Sequence, residues 1–292
     1  NMMSVHSTEY GDLVADLKNG PLPLNGNMDL VKVVANHFSI KNGFRMDIES
    51  EAPPGSGLGG SSAVIVSIVS AVCRWIGRTM GKEETAKLAY DLERKELGLT
   101  GGRQDQYASV FGGFNLMRFR GDDVTVDNVP VSEEIMSELQ SRSVLCYTGS
   151  TRESADVIDS QIKSFRKGDN EKALDASKDL AVGMAETLRR GDITETGSIL
   201  HQSWQLKKQF SEKITNPMID RMYESAKSAG AIGGKVSGAG GGGFMFFICK
   251  YNRKYDVAKA LQKTNPGAKV VDFMFQREGV KSWGYDDERH II

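Results

Sequence analysis

Cysteine is sparse in this sequence, and no two cysteines form a CxxC pair. Cys73, Cys146 and Cys249 each lie inside an apolar run (SAVCRWI, SVLCYTG and FMFFICK). That pattern excludes a disulfide framework and a cysteine zinc site, and the thiols read as small buried hydrophobes of a reducing compartment. Histidine is equally thin. His6, His37, His201 and His290 show no HExxH-like spacing and read as surface or helix residues. Long apolar runs are missing too. The longest, from Ala63 to Ile76, is broken by serines and Arg74, and falls short of the about 20 residues that a membrane-spanning helix needs. The opening residues NMMSVHSTEYGDL are mixed and polar, unlike a secretory signal. An excess of either charge is also absent: 37 Lys and Arg stand against 38 Asp and Glu. Such balance gives no reason to expect nucleic acid or an anionic membrane as a partner. The expectation is a soluble, cytoplasmic protein; homo-oligomer formation is left open.

Glycine, by contrast, is abundant and unevenly placed. The 32 glycines concentrate at 55–60, 98–102, 112–113 and 230–243. Clustering of this kind marks a few special backbone sites rather than low complexity. No internal repeat is visible. With 292 residues and 39% hydrophobic content, the chain has room for two modest domains.

Residues 28–39 carry apolar positions at helical spacing, and 44–50 alternate as a half-exposed strand does. The first glycine loop follows. Ser61 and Ser62 then stand as N-cap candidates for a helix from Ala63 to Ile76, and a second helix fits Lys82 to Glu96. Further helices are expected over 152–166, 170–189, 192–211, 217–229 and 254–263, with Gly230 as a C-cap. Strands are expected over 143–148, in FMFFIC after the second glycine loop, and over 268–275. The mixture fits an α+β fold rather than a doubly wound parallel sheet. A domain boundary is placed near 130, in the segment DNVPVSEE.

The loop Pro53-Pro54-Gly55-Ser56-Gly57-Leu58-Gly59-Gly60-Ser61-Ser62 is the strongest chemical signal. Its four glycines let the backbone approach an anion and turn amides toward one point. The helix after it adds unpaired N–H donors and the positive end of its dipole. The two hydroxyls can meet a phosphate oxygen or Mg²⁺. The loop is not a Walker A motif, because Gly60 stands where that motif has lysine. It matches the GxGxxG spacing of dinucleotide folds, which alone is weak. A bare tight turn between strand and helix is the plain alternative.

Two carboxylates stand out for phosphoryl transfer, which needs a metal and often a base. Glu93 lies in DLERKELG and Asp105 in GGRQDQYAS, where Arg103 could hold it ionised. Glu93 reads equally well as a solvated helix carboxylate beside Arg94 or Lys95, and Asp105 as an N-cap. Spacing decides neither. The second glycine loop, Gly238-Ala239-Gly240-Gly241-Gly242-Gly243, suggests another backbone nest or a hinge before a buried strand. Lys235 reads as a phosphate partner or, more simply, as a surface charge. In SWQLKKQF (203–210), Trp204 and Phe210 read as a core face with Lys207 and Lys208 on a solvated back.

PPGSGLGGSSA (53–63) resembles the second motif of the GHMP kinases, the superfamily of galactokinase, homoserine kinase, mevalonate kinase and phosphomevalonate kinase. KVSGAGGGGFMFF (235–247) resembles their third motif. LERKELGLTGGRQDQYASVFGGFNLMRF (92–119) and REGVKSW are most similar to one branch, the bacterial D-glycero-D-manno-heptose 7-phosphate kinases. The resemblance implies a two-domain fold: an N-terminal mixed α/β domain over 1–130 and a C-terminal ferredoxin-like α+β domain over 131–292. It implies ATP and Mg²⁺, and a sugar phosphate phosphorylated at its anomeric hydroxyl. Pro54, Gly55, Ser56, Gly57, Leu58, Gly59, Gly60, Ser61 and Ser62 would bind ATP, and Ser61 and Glu93 would hold Mg²⁺. Asp105 would be the catalytic base. Gly102, Arg103 and Asp105 would contact substrate, as would Ser237, Gly238, Ala239, Gly240 and Gly241, closing the site from the second domain. The family's first motif, a Pro-x-Arg-like strand and glycine turn, is not found in residues 1–27. These read as the middle of the first domain, with the first N-terminal strands missing. Two other readings stand beside this one: a fucokinase- or galactokinase-like enzyme, and a non-catalytic nucleotide- or sugar-binding regulator.

Overall fold

Alternate residues of the first strand are buried: Met3, Val5 and Ser7 turn inward, while Met2 and His6 face out. This is the period of a strand with one covered face. The structure is a computed structural model and describes residues 1–150, 154–168 and 170–284. Strand β1 (Met2–Ser7) forms an antiparallel hairpin with β2 (Gly11–Asp16) and pairs in parallel with β3 (Phe44–Ile48). The parallel pair needs a crossover, and α1 (Asp29–His37) supplies it, burying Val31, Val33 and Val34. Helices α2 (Gly60–Trp75), α3 (Lys82–Tyr90) and α4 (Gln104–Phe111) complete the layer. Ile65, Val66, Val69 and Val72 give α2 one buried face.

These elements form one compact unit made of residues 1–54, 59–112 and the segment from Glu278. That late segment is fastened to the end of α4: Val280 N donates to Ser109 O at 2.9 Å. Gly279 lies so close that a Cβ there would overlap Val110 O.

The second unit comprises Gly55–Leu58 and Gly113–Arg277. It opens with a hairpin of β4 (Asn115–Arg120) and β5 (Asp123–Asn128). Residues 113–130 group with this unit, where Phe114 and Leu116 pack against Val129, Leu188 and Ile248. Then follow α5 (Glu133–Ser141), β6 (Ser143–Tyr147), α6 (Ser154–Arg166), α7 (Glu171–Arg190), α8 (Ile193–Lys208) and α9 (Pro217–Ala229). Strands β7 (Ala231–Val236) and β8 (Phe244–Cys249), helix α10 (Lys254–Thr264) and β9 (Lys269–Val271) finish it. The sheet order is β7-β8-β6-β9, antiparallel throughout. This is the ferredoxin-like arrangement expected for the C-terminal domain. Its core is Trp204, Ile219, Met222, Tyr223, Met245, Phe247 and Leu261 with Cys146 and Cys249. All three cysteines are buried and free.

Three local expectations change. The helix expected from Ala63 starts at Gly60, and its N-cap is Gly59 at φ 74° rather than Ser61 or Ser62. Both hydroxyls are drawn to a buried carboxylate, a stronger acceptor partner than an amide is a donor. The strand expected over 268–275 stops at Val271. Beyond it, the Gln140 side chain takes the place of a neighbouring strand, donating to Phe273 O at 2.7 Å and accepting from Phe275 N at 3.0 Å. The helix expected over 82–96 changes form at Asp91, where a π-helical stretch runs to Glu96. The first two residues of the helix expected over 152–166 lie outside the described residues.

Candidate functional site

In the first unit, one carboxylate collects four partners. Glu93 lies in the π-helical stretch and is fully buried. Ser61 Oγ donates to its Oε1 at 2.7 Å and Ser62 Oγ to its Oε2 at 2.8 Å. Gln106 Nε2 donates to Oε2 at 2.5 Å and reaches Ser62 Oγ at 3.1 Å. Arg94 lies 3.4 Å from Oε1 and donates to Ser62 Oγ at 3.3 Å. Widening of the helix into a π form, common at functional sites, turns Glu93 and its neighbour Arg94 into this one cluster. Glu93 is therefore not a solvated helix carboxylate. Burying it needs the countercharge and hydroxyls that surround it.

Asp105 is the second residue of α4 and is half-buried. It does not cap the helix; the N-cap position is Arg103. Burial raises its carboxyl above the usual range. The Gln104 amide at 3.3 Å and the charge of Arg94 act against that rise, while Glu93 adds to it. The guanidinium of Arg94 acts on Asp105, and that of Arg103 lies 4.9 Å over the Tyr90 ring. Gly59 faces Asp105: a Cβ on Gly59 would sit 3.2 Å from Asp105 Cβ and Cγ.

Arg94, Gln106 and Gly101 were not singled out by the sequence. A Cβ at Gly101 would meet Arg94 Cζ at 2.6 Å, so the glycine makes the seat for that side chain. Gln106 carries no charge to betray its role; its position beside Asp105 was the available signal. Arg94 Nε and Gln106 Oε1 are buried without a hydrogen-bond partner among the described residues. The cluster offers oxygen donors from Ser61 and Glu93, the hard ligands that Mg²⁺ prefers, and Ser61 is exposed. Its donor set fits that ion. Among the described residues there is no group of three or more His, Cys, Asp or Glu that could hold a metal.

In the second unit the two glycine loops meet backbone to backbone. Positive φ recurs at Gly55 and Gly57, and again at Gly238, Gly240, Gly241 and Gly243. Phe244 N donates to Ser56 O at 3.2 Å, and a Cβ at Gly238 would stand 2.7 Å from Gly57 O. Ser56 is buried in this contact, and its Oγ accepts from Leu58 N at 3.4 Å. Leu58 is exposed, as are Pro54 and Gly55. Lys235 is not a surface charge but half-buried on β7, and Lys207 is half-buried on α8.

Gly243 makes the closest approach. Its φ is 82°, and a Cβ there would overlap Ser56 O. Gly243→Ala is expected to destabilise the protein by about 1–3 kcal/mol through strain and overlap together. A urea-unfolding midpoint equal to that of the unmodified chain would show that the loop contact is not tight.

The N-terminal domain model of the GHMP kinases matches residues 28–113, and the C-terminal model matches 184–267. The chain is 42% identical over 267 residues to the D-glycero-alpha-D-manno-heptose 7-phosphate kinase of Campylobacter jejuni, covering 89% of this chain and 78% of the relative. A crystal structure of a D-glycero-D-manno-heptose 1-phosphate kinase from Bacteroides thetaiotaomicron superposes with a TM-score of 0.74 at 31% identity, covering 97% of this chain and 84% of that one. Lactococcus lactis galactokinase, at 18% identity and a TM-score of 0.73, covering 95% of this chain and 83% of that one, shares the fold. No helix among the described residues is long and apolar enough to cross a membrane.

Proposed function

Because this chain belongs to the GHMP kinase family, we propose that it transfers the γ-phosphoryl group of ATP to the anomeric hydroxyl of D-glycero-D-manno-heptose 7-phosphate. The broader statement is plain: it is an ATP-dependent sugar kinase acting in heptose metabolism. The observation that carries the reaction type is Asp105, half-buried with a raised carboxyl, beside a cluster in which Ser61 and Ser62 both donate to Glu93. The likeness to the heptose 7-phosphate kinase supports the acceptor.

On this reading the amides of Pro54 to Ser62 that are free to donate hold the phosphates of ATP. Pro54 itself has no N–H and fixes the loop's entry. Amides cost no reorganisation when charge develops on the transferred group. Asp105 accepts the proton of the attacking hydroxyl. Its elevated pKa makes the ionised form a better proton acceptor than an ordinary aspartate. Ser61 and Glu93 hold Mg²⁺, which neutralises triphosphate charge when bound. Ser61 Oγ donates its hydrogen bond to Glu93 and so keeps its lone pairs for a cation. Gly102, Arg103 and Asp105, together with Ser237, Gly238, Ala239, Gly240 and Gly241, contact the acceptor. The same reading expects a cytoplasmic enzyme, since its phosphoryl donor is ATP.

A panel of heptose 7-phosphate, fucose and galactose, each with ATP and Mg²⁺, tests the acceptor. The expected result is the highest kcat/KM with heptose 7-phosphate. Preference for an unphosphorylated sugar would move the chain to the fucokinase- or galactokinase-like reading. No transfer to any of them would leave a nucleotide- or sugar-binding regulator.

A further inference from the structure

One arginine of the first unit joins the Glu93 cluster to the loop that leads into α4. Arg94 stands in the π-helical stretch with its side chain nearly buried. Its two terminal nitrogens serve different partners. Nη2 lies 3.4 Å from Glu93 Oε1, the same oxygen that accepts from Ser61, and donates to Ser62 Oγ at 3.3 Å. Nη1 donates to Thr100 O at 3.2 Å and to Leu99 O at 3.5 Å. A backbone bond runs alongside, from Leu99 N to Glu93 O at 3.3 Å. Gly101 completes the seat: a Cβ there would stand 2.6 Å from Arg94 Cζ and 2.8 Å from Nη2. Gly101 has no positive φ, so glycine supplies space here rather than an unusual backbone.

The arrangement depends on the fork of the guanidinium. Nitrogens fixed in one plane hold two pieces of chain at one spacing, which a single ammonium on a flexible stem does not do. The segment so held has no regular structure between Leu97 and Arg103 and carries Gly98, Gly101 and Gly102. Glycine-rich chain loses much entropy when it is ordered, so its order rests on the few bonds it makes. Two of its carbonyls, those of Leu99 and Thr100, are taken by Arg94. Whatever fixes Glu93 Oε1 and the seryl hydroxyls therefore fixes Nη2, and the rigid plane carries that constraint to Nη1 and the loop.

We propose that Arg94 is a positioning residue that couples acceptor binding to metal and nucleotide binding. The proposal rests on the kinase reading above, in which Ser61 and Glu93 hold Mg²⁺ and the end of this loop, Gly102 and Arg103, meets the acceptor together with Asp105. Ordering the Glu93 cluster orders the loop through Arg94, and ordering the loop steadies the cluster. Each ligand thus binds more tightly when the other is present, and by linkage the two effects are equal.

The test compares the full chain with Arg94→Lys and Gly101→Ala. Lysine keeps the countercharge of Glu93, so that carboxylate is not left buried alone, but it cannot hold both partners. Alanine leaves the arginine and pushes its guanidinium off the seat. Affinity for D-glycero-D-manno-heptose 7-phosphate is measured by calorimetry with and without Mg²⁺ plus a non-hydrolysable ATP analogue. In the unmodified protein the pair is expected to tighten acceptor binding by about 5- to 150-fold, the usual range of coupling between sites. In both variants that factor is expected to fall toward unity. A merely structural role would lower the active fraction of the sample and leave the ratio of the two affinities as it was. Hydrogen exchange at the Leu99 amide, read on the ligand-free chain, is expected to be about 10-fold faster in both variants, as when a bond holding an ordered segment is lost. Coupling that survives in both variants, or unchanged exchange, overturns the proposal. An unmodified enzyme that phosphorylates heptose 7-phosphate yet shows no coupling sinks the proposal and leaves the kinase reading standing. An unmodified chain that binds no sugar phosphate removes that reading of the acceptor and the coupling with it, and faster exchange in the variants then leaves Arg94 as a clamp of the loop alone.

Discussion

Asp105→Asn is expected to lower kcat by about 10²- to 10⁴-fold, the range that general-base catalysis supplies, while leaving ATP affinity near that of the unmodified enzyme. Asparagine keeps the shape of the side chain and removes its ability to take a proton. Loss of activity through unfolding is not expected. The folded-state carboxyl is raised by burial. A raised carboxyl favours the folded state below its unfolded pKa, and that advantage is lost as pH rises through the folded value. Above the folded value the ionised Asp105 is therefore a burden on stability, and the neutral amide removes it. Tm should hold or rise. The same shift predicts that activity fails on the acid side at a higher pH than an ordinary aspartate would give, because the base works only when ionised. Single-turnover rates with saturating ATP and acceptor, set beside a nucleotide-binding measurement, check the assignment. Near-normal single turnover in Asp105→Asn would remove Asp105 from the role of base.

Glu93→Gln is expected to damage both fold and chemistry. Glu93 is 0% exposed, and the side chain of Arg94 at 3.4 Å is 12% exposed. Removing the negative member leaves a nearly buried guanidinium without its countercharge, a loss of about 3–5 kcal/mol where such pairs are broken from one side. The amide also brings its own N–H groups to a place where Ser61, Ser62 and Gln106 all donate. Chemical denaturation reads the first effect. The second is read from the Mg²⁺ concentration giving half-maximal rate, which is expected to rise about 10- to 100-fold, as when a metal ligand or its support is lost. A variant that is less stable but shows an unchanged Mg²⁺ requirement would make Glu93 a structural clamp with no part in metal binding.

The parts of this molecule that could be read in advance were those with a periodic or compositional signature. The apolar spacing of α1, the FMFFIC run of β8 and the Gly230 cap of α9 follow from single-chain rules, and the structure has all three. The glycine loops announced unusual backbone, and their contact through Ser56 O and Gly243 gives the reason: no side chain fits there. What could not be read was partnership. Glu93 and Ser61 are 32 residues apart and meet only in three dimensions, so the competition between an N-cap and a buried carboxylate for the seryl hydroxyl is invisible along the chain. Lysine is normally a surface residue, yet Lys235 is half-buried on a strand that packs closely against α8 at Gly233. The short β9 failed for a similar reason. The residues of 272–275 suit a strand, but a glutamine side chain supplies the hydrogen bonds that a neighbouring strand would have given.

The segment from Glu278 belongs with residues 1–54 and 59–112, although the whole second unit is encoded in between. A ribosome makes the chain in one direction. Helix α4, which carries Asp105, therefore emerges long before Gly279 and Val280 arrive to close on Val110 and Ser109. During synthesis the first unit waits, with that surface uncovered, until the second has been made. Gly55–Leu58 wait in the opposite sense: they are made early and find their seat on Ser237 and Gly243 only when β7 and β8 exist. The order of translation thus ties completion of each unit to the other. A cut made near residue 113 to obtain the halves separately would deprive both of a piece.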